Sequence, residues 1–170
     1  RFDVLQKLGL TPATTLDEFT QLCADLQAKI DDGTIDADAV IMNSTKDYAF
    51  YRGFVGIFHT WDTLYWNGTE WAFGPIEDNF REMLKYLKSL YDAGYIDSEF
   101  ATADTNMCNE KASTGKALIC PTLWAGSANS WNTAASDDSG IEWGLAYLPK
   151  NETYGTAWKW GSKLPGKSLN

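Results

Sequence analysis

The stretch from Gly74 to Ala101 constrains this chain most, because it reads as a complete helix with its punctuation. Apolar residues Phe80, Met83, Leu84, Leu87, Leu90 and Tyr91 recur at steps of three and four, which lays one stripe along a helix of period 3.6. Glu77 and Asp78 fall in the predicted first turn, where the helix dipole favours negative charge, and Gly94 follows the end, where a left-handed residue is commonly needed. Lys85 and Lys88 face solvent. A stripe of this length needs a partner surface, so the rest of the chain must supply a core.

The 170 residues suffice for one such core, and a 44% hydrophobic content excludes a generally disordered chain. With 14 Lys plus Arg against 23 Asp plus Glu, the net charge of −9 argues against a nucleic-acid partner, which would need a cationic surface. Eight Trp, eight Tyr and eight Phe exceed what a core of this size requires, so some rings are expected to face a ligand while others fill the interior.

Cys23, Cys108 and Cys120 form no Cys-x-x-Cys pair, and His59 is the one histidine, so no zinc site and no cofactor is expected. Buried free thiols are the favoured reading, with a Cys108–Cys120 disulfide as the alternative. The chain starts at Arg1 and contains no signal peptide or apolar run of membrane-spanning length, which fits an excised or processed segment.

Taken in order, Phe2 to Leu10 reads as a short amphipathic turn ended by Gly9. Thr15-Leu16-Asp17-Glu18 fits a capping box, and Leu16, Phe19, Leu22, Cys23, Leu26 and Ile30 follow at helical spacing. Asp31 to Asp38 is acidic but lacks the ligand spacing of a calcium loop, so a solvated turn is predicted. Ala39 to Met42 reads as a buried strand, and Tyr48 to Phe58 as a mostly buried helix interrupted by Gly53 and Gly56. His59 at its end reads as a cap or a core residue bonded to backbone, since no nucleophile or acid is marked beside it.

Asn67-Gly68 between Thr63–Trp66 and Glu70–Phe73 is a strong hairpin signal. Glycosylation triplets begin at Asn43, Asn67 and Asn151, but such triplets arise by chance and Asn67 already serves a turn. Later, residues 104–113 read as a helix, 116–121 as a buried strand, 127–135 as a helix and 141–148 as an alternating strand. Residues 154–170 show no clear period. Helices alternating with short strands predict a helix-rich α/β or α+β domain. Trp124 follows the 116–121 strand, where an open α/β sheet presents ligand-contacting side chains.

Five pieces then occur in a telling order: Leu5-Gln6-Lys7-Leu8-Gly9-Leu10; Thr14-Thr15-Leu16-Asp17-Glu18-Phe19; Trp66-Asn67-Gly68-Thr69; Gly74-Pro75-Ile76 leading to Leu84–Tyr91; and Gly94-Tyr95-Ile96-Asp97-Ser98-Glu99-Phe100 followed by Gly115-Lys116-Ala117. Over Leu5 to Pro149 the chain resembles family 1 of the extracellular solute-binding proteins of bacterial ABC transporters, especially the lipoprotein branch for carbohydrate uptake. The resemblance implies one lobe of a type II periplasmic-binding-protein fold: residues 1–170 as the second lobe of a two-lobed protein, with 150–170 as the tail returning to the hinge. It also implies a non-catalytic monomer that captures a sugar or oligosaccharide for a membrane permease, held outside the cell by a lipid anchor or in the periplasm. The family's calcium-like acidic loop is not matched by Asp31 to Asp38, so no metal carries over.

Sugars offer apolar C–H faces and a rim of hydroxyls, which aromatic platforms and planar polar groups recognise together. Trp124 is the leading candidate contact, with Trp61, Tyr51, Arg52 and Trp131 behind it. The competing readings are a free-standing carbohydrate-binding or adhesion module and a glycoside hydrolase fragment, though no two carboxylates are marked as an acid and base.

Overall fold

A computed structural model describes residues 1–46, 50–121 and 126–157. Helix α1, Phe2–Leu8, ends at Gly9 in the left-handed conformation. Helix α2, Leu16–Asp31, starts on the predicted capping box: Thr15 Oγ1 accepts from the Glu18 amide at 3.2 Å, and the Glu18 carboxylate accepts from the Thr15 amide. That carboxylate also accepts from the amide and hydroxyl of Thr14, which hold its pKa below the usual range. Leu22, Cys23 and Leu26 form the buried face of α2.

Strand β1, Val40–Met42, lies parallel to β4, Ala117–Ile119, with Val40 opposite Ala117 and Met42 opposite Ile119. On the other side of β1, Met42 bridges Ile96 in parallel. Between these pieces comes an antiparallel hairpin, β2 Leu64–Trp66 and β3 Trp71–Phe73, whose turn is closed by Asn67 Oδ1 accepting from the Thr69 and Glu70 amides. Helix α4, Thr105–Ser113, is capped by Asp104 and precedes β4; α5, Gly126–Ala134, follows it. The parallel pairing and the helices between the strands make this a helix-rich α/β fold.

The organising stretch divides. Gly74–Ile76 forms a 3₁₀ turn and the helix proper, α3, is Asp78–Asp92, followed by Gly94 at φ 79°. Its buried stripe is Met83, Leu87 and Leu90, narrower than the predicted one: Leu84 and Tyr91 face solvent. This stripe packs with Leu22, Cys23 and Leu26 of α2, Ile41 and Met42 of β1, and Phe54 to Phe58 in the main core. A smaller cluster gathers Ala112, Ala117, Ala128, Trp131 and Trp143.

Two segments differ from expectation. Residues 50–59 form a 3₁₀ turn, Phe50–Gly53, and consecutive tight turns in place of a regular helix. Phe54, Val55, Ile57 and Phe58 are all buried, more faces than one helical stripe can cover, and turns satisfy them. Residues 141–148 make no strand ladder among the described residues: Glu142 O accepts from the Phe2 amide, the Trp143 amide donates to the Asn132 side chain, and Leu145, Tyr147 and Leu148 are exposed.

Candidate functional site

In an open parallel sheet, ligands bind beyond the carboxyl ends of the strands. Beyond β1 lies Asn43, wholly enclosed, whose Nδ2 donates to the Cys108 carbonyl at 3.1 Å and whose Oδ1 accepts from the Cys108 thiol at 3.2 Å. The same amide nitrogen reaches Cys120 Sγ at 3.8 Å, so one side chain ties β1, α4 and β4 together. All three thiols are free. Burial pushes Cys23 and Cys120 up to about 12 and Cys108 up to about 11, which makes them inert as nucleophiles.

Over the end of β4 sits the 3₁₀ turn, where a β-carbon on Gly53 would lie 3.4 Å from Pro121. That turn carries Tyr51 and Arg52. The Tyr51 ring meets Phe80 edge-on at 6.3 Å, while Arg52 Nε donates to Asp62 Oδ2 at 2.6 Å. The hydrogen bond to Asp62 raises the guanidinium pKa further, with a smaller contribution from Tyr51.

Asp62 belongs to a corner, residues 59–63, that α3 and the hairpin clamp from below. Thr60 is buried, its amide donating to Val55 O and its hydroxyl to Glu77 Oε2 at 2.8 Å. Tyr65 OH donates to the same carboxylate at 2.9 Å. Asn79 Nδ2 donates to the carbonyls of Phe58 and His59. Gly74 approaches so closely that a β-carbon there would stand 1.8 Å from the Trp61 carbonyl oxygen. Trp61 itself is half-buried, with one part against the main core.

Tyr51, Arg52 and Trp61 are thus brought into one neighbourhood, through the Arg52–Asp62 pair. Trp131 is placed apart from them: it is buried, its ring 4.9 Å from Trp143, and its Nε1 donates to Asn109 Oδ1 at 2.8 Å. Trp124, with Trp158 and Trp160, lies outside the described residues. Asp62 and Gly74 were not anticipated. An acid ten residues after an arginine carries no signal in sequence, and neither does a glycine whose close neighbour is the Trp61 carbonyl.

An apolar cavity of about 200 Å³ runs beneath, lined by Phe2, Leu22, Leu118, Trp131 and Tyr147 and reaching Gly53 and Pro121. Hydrocarbon walls of this kind suit packing against apolar groups. Among the described residues no cluster of three His, Cys, Asp or Glu could hold a metal, and no helix is long and apolar enough to cross a membrane. His59 Nε2 meets the Thr156 carbonyl at 3.0 Å, the backbone-bonded role its sequence setting predicted.

Comparison with solved structures gives this geometry its setting. The alginate-binding protein AlgQ2 superposes with a TM-score of 0.69 over 93% of this chain and 33% of its own, at 18% identity. The fold is that of one lobe of a substrate-binding protein. FusA, an ABC-transporter substrate-binding protein of S. pneumoniae, matches the lobe at TM-scores of 0.64 and 0.62 in complexes with fructo-nystose and kestose, at 20% and 21% identity over 90% of the chain. Lipoprotein LipO of Bacillus subtilis (strain 168) is 30% identical over 129 residues, 70% of this chain and 25% of LipO. No family model matches. The lobe therefore spans about a quarter of LipO and about a third of the structures it resembles.

Proposed function

We propose that the chain is the second lobe of a two-lobed solute-binding protein of the carbohydrate-uptake type, family 1, and supplies half of a ligand cleft. The likeness to AlgQ2 across 93% of the chain carries this reading, together with the aromatic and cationic corner at the strand ends. In it, Trp124, Trp61, Tyr51 and Arg52 face a sugar or oligosaccharide, and Trp131 contributes at the edge of the apolar cavity. The opposite lobe supplies the remaining contacts. Ligand closes the two lobes about a hinge reached through residues 150–170, and a membrane permease receives the closed, monomeric form. The likeness to lipoprotein LipO and to the ABC-transporter protein FusA favours a protein working outside the cytoplasm, on a lipid anchor or in the periplasm.

Titration calorimetry of the full-length polypeptide against kestose, nystose and alginate oligomers tests this. Saturable heat with one of them, lost or weakened tenfold or more in Trp61→Ala, is the expected outcome. Absence of heat with every sugar overturns the carbohydrate reading, and undiminished affinity in the isolated 170 residues favours a free-standing binding module instead.

A further inference from the structure

His59 stands out in the backbone: among the described residues without a glycine it is the one with positive φ, at 50°. A side chain that carries a β-carbon persists in that conformation only where its surroundings over-determine it, and such residues concentrate at functional places. The surroundings here come from two directions. From α3, Asn79 Nδ2 holds the His59 carbonyl at 2.7 Å and the Phe58 carbonyl at 3.0 Å. From the far end of the described chain, Thr156 O meets His59 Nε2 at 3.0 Å, and the Tyr154 ring lies 5.8 Å from the imidazole at 35°.

That second direction is itself a built feature. Asn151 and Gly155 exchange both backbone hydrogen bonds, at 2.9 and 2.6 Å, and buried Asn151 Oδ1 accepts from the Thr153 amide at 2.8 Å. Tyr154 OH donates to Glu82 Oε2 at 2.6 Å, which fixes the turn to α3. A rigid turn is therefore seated on His59, and the three residues after His59 are Thr60, Trp61 and Asp62.

We propose that His59 is a positioning residue that couples the 151–156 turn to the Trp61–Asp62 corner. The proposal rests on the two-lobe reading for its consequence: the turn sits in the segment leading to the hinge, so lobe closure that moves Thr156 is felt at Trp61 through the imidazole and the left-handed backbone. The ligand face is thereby set by the closure it provokes, with no contact between His59 and ligand.

Hydrogen exchange in the full-length polypeptide tests the coupling without any ligand. His59→Gly keeps the backbone comfortable and removes the imidazole, so the Gly155 amide exchanges about tenfold faster; Tyr154→Ala accelerates the Thr60 amide about tenfold, as loss of one hydrogen bond or ring contact implies. The α2 amides around Leu26 stay unchanged in both. Acceleration confined to the substituted segment overturns the coupling, and so does a uniform acceleration that includes α2, which is lost stability alone. In calorimetry with kestose, His59→Gly weakens binding about tenfold; coupled exchange with no kestose heat overturns that sugar as ligand and leaves the coupling standing.

Discussion

Arg52 Nε lies 2.6 Å from Asp62 Oδ2, so the turn beyond β1 and the corner before the hairpin are joined by a charge pair whose acid is 8% exposed and whose base is 41% exposed. Removing the arginine strands a nearly buried carboxylate. Fully buried pairs lose about 3–5 kcal/mol on such truncation, but the exposed guanidinium is already partly screened, so Arg52→Ala costs about 1–2 kcal/mol in urea denaturation. In a double-mutant cycle with Asp62→Ala the two losses are less than additive.

Gly74 meets the Trp61 carbonyl where no β-carbon fits. Gly74→Ala must push the 59–63 corner or the start of α3 aside, a backbone clash that costs about 1–3 kcal/mol. Thermal denaturation reads the loss, and the altered surroundings of Trp61 change the indole emission of the folded protein. An unchanged melting temperature with an unchanged spectrum would contradict the close approach of Gly74 to the Trp61 carbonyl.

Tyr65 is buried, and its burial, followed by the hydrogen bond it donates to Glu77, raises its pKa well above the ordinary phenol value. The folded state therefore keeps the proton after the unfolded chain has released it. Stability from this group is fully present below about pH 10, the unfolded value, and falls as pH rises toward the folded pKa. Tyr65→Phe loses about 1 kcal/mol at neutral pH and flattens the alkaline decline, measured by denaturant unfolding between pH 8 and 11.

Cys23 is fully enclosed on α2 and its thiol is pushed up to about 12 by burial. Thiol-reactive reagents at pH 8 therefore label Cys23 only through unfolding, with a rate that follows denaturant concentration. Rapid labelling in native buffer, located by mass spectrometry of the digest, would contradict this packing.

Much of the scaffold was legible because its signals are local. The Thr15–Glu18 capping box, the Asn67–Gly68 turn and the Gly94 stop each act within a few residues, and each appears where the spacing placed it. Periodicity predicts a wider stripe for α3 than the fold buries, because Leu84 and Tyr91 keep the period yet lie on its shoulder, where only the partner's extent decides burial. The same limit applies at 48–58, whose apolar density predicts a helix, although over the described part from residue 50 turns fill the core.

The candidate site was less visible. Tyr51, Arg52 and Trp61 were singled out as residue types, but what assembles them is Asp62, Gly74 and Glu77, none of which announces a distant partner in sequence. Trp131 and Trp61 looked alike as tryptophans. Only the folded chain shows that one has its indole nitrogen bonded to Asn109 beside Trp143 while the other stands at the corner.

Glu77 occupies the N-cap position of α3, yet its carboxylate serves Thr60 and Tyr65 and leaves the helix without a side-chain cap. Helix, hairpin and corner therefore share one fastening, and they open together or remain closed together as a single cooperative unit. A displacement that reaches Thr60 is therefore carried through Glu77 into the hairpin and the start of α3, so the corner moves as one body with them and not as a loop on its own.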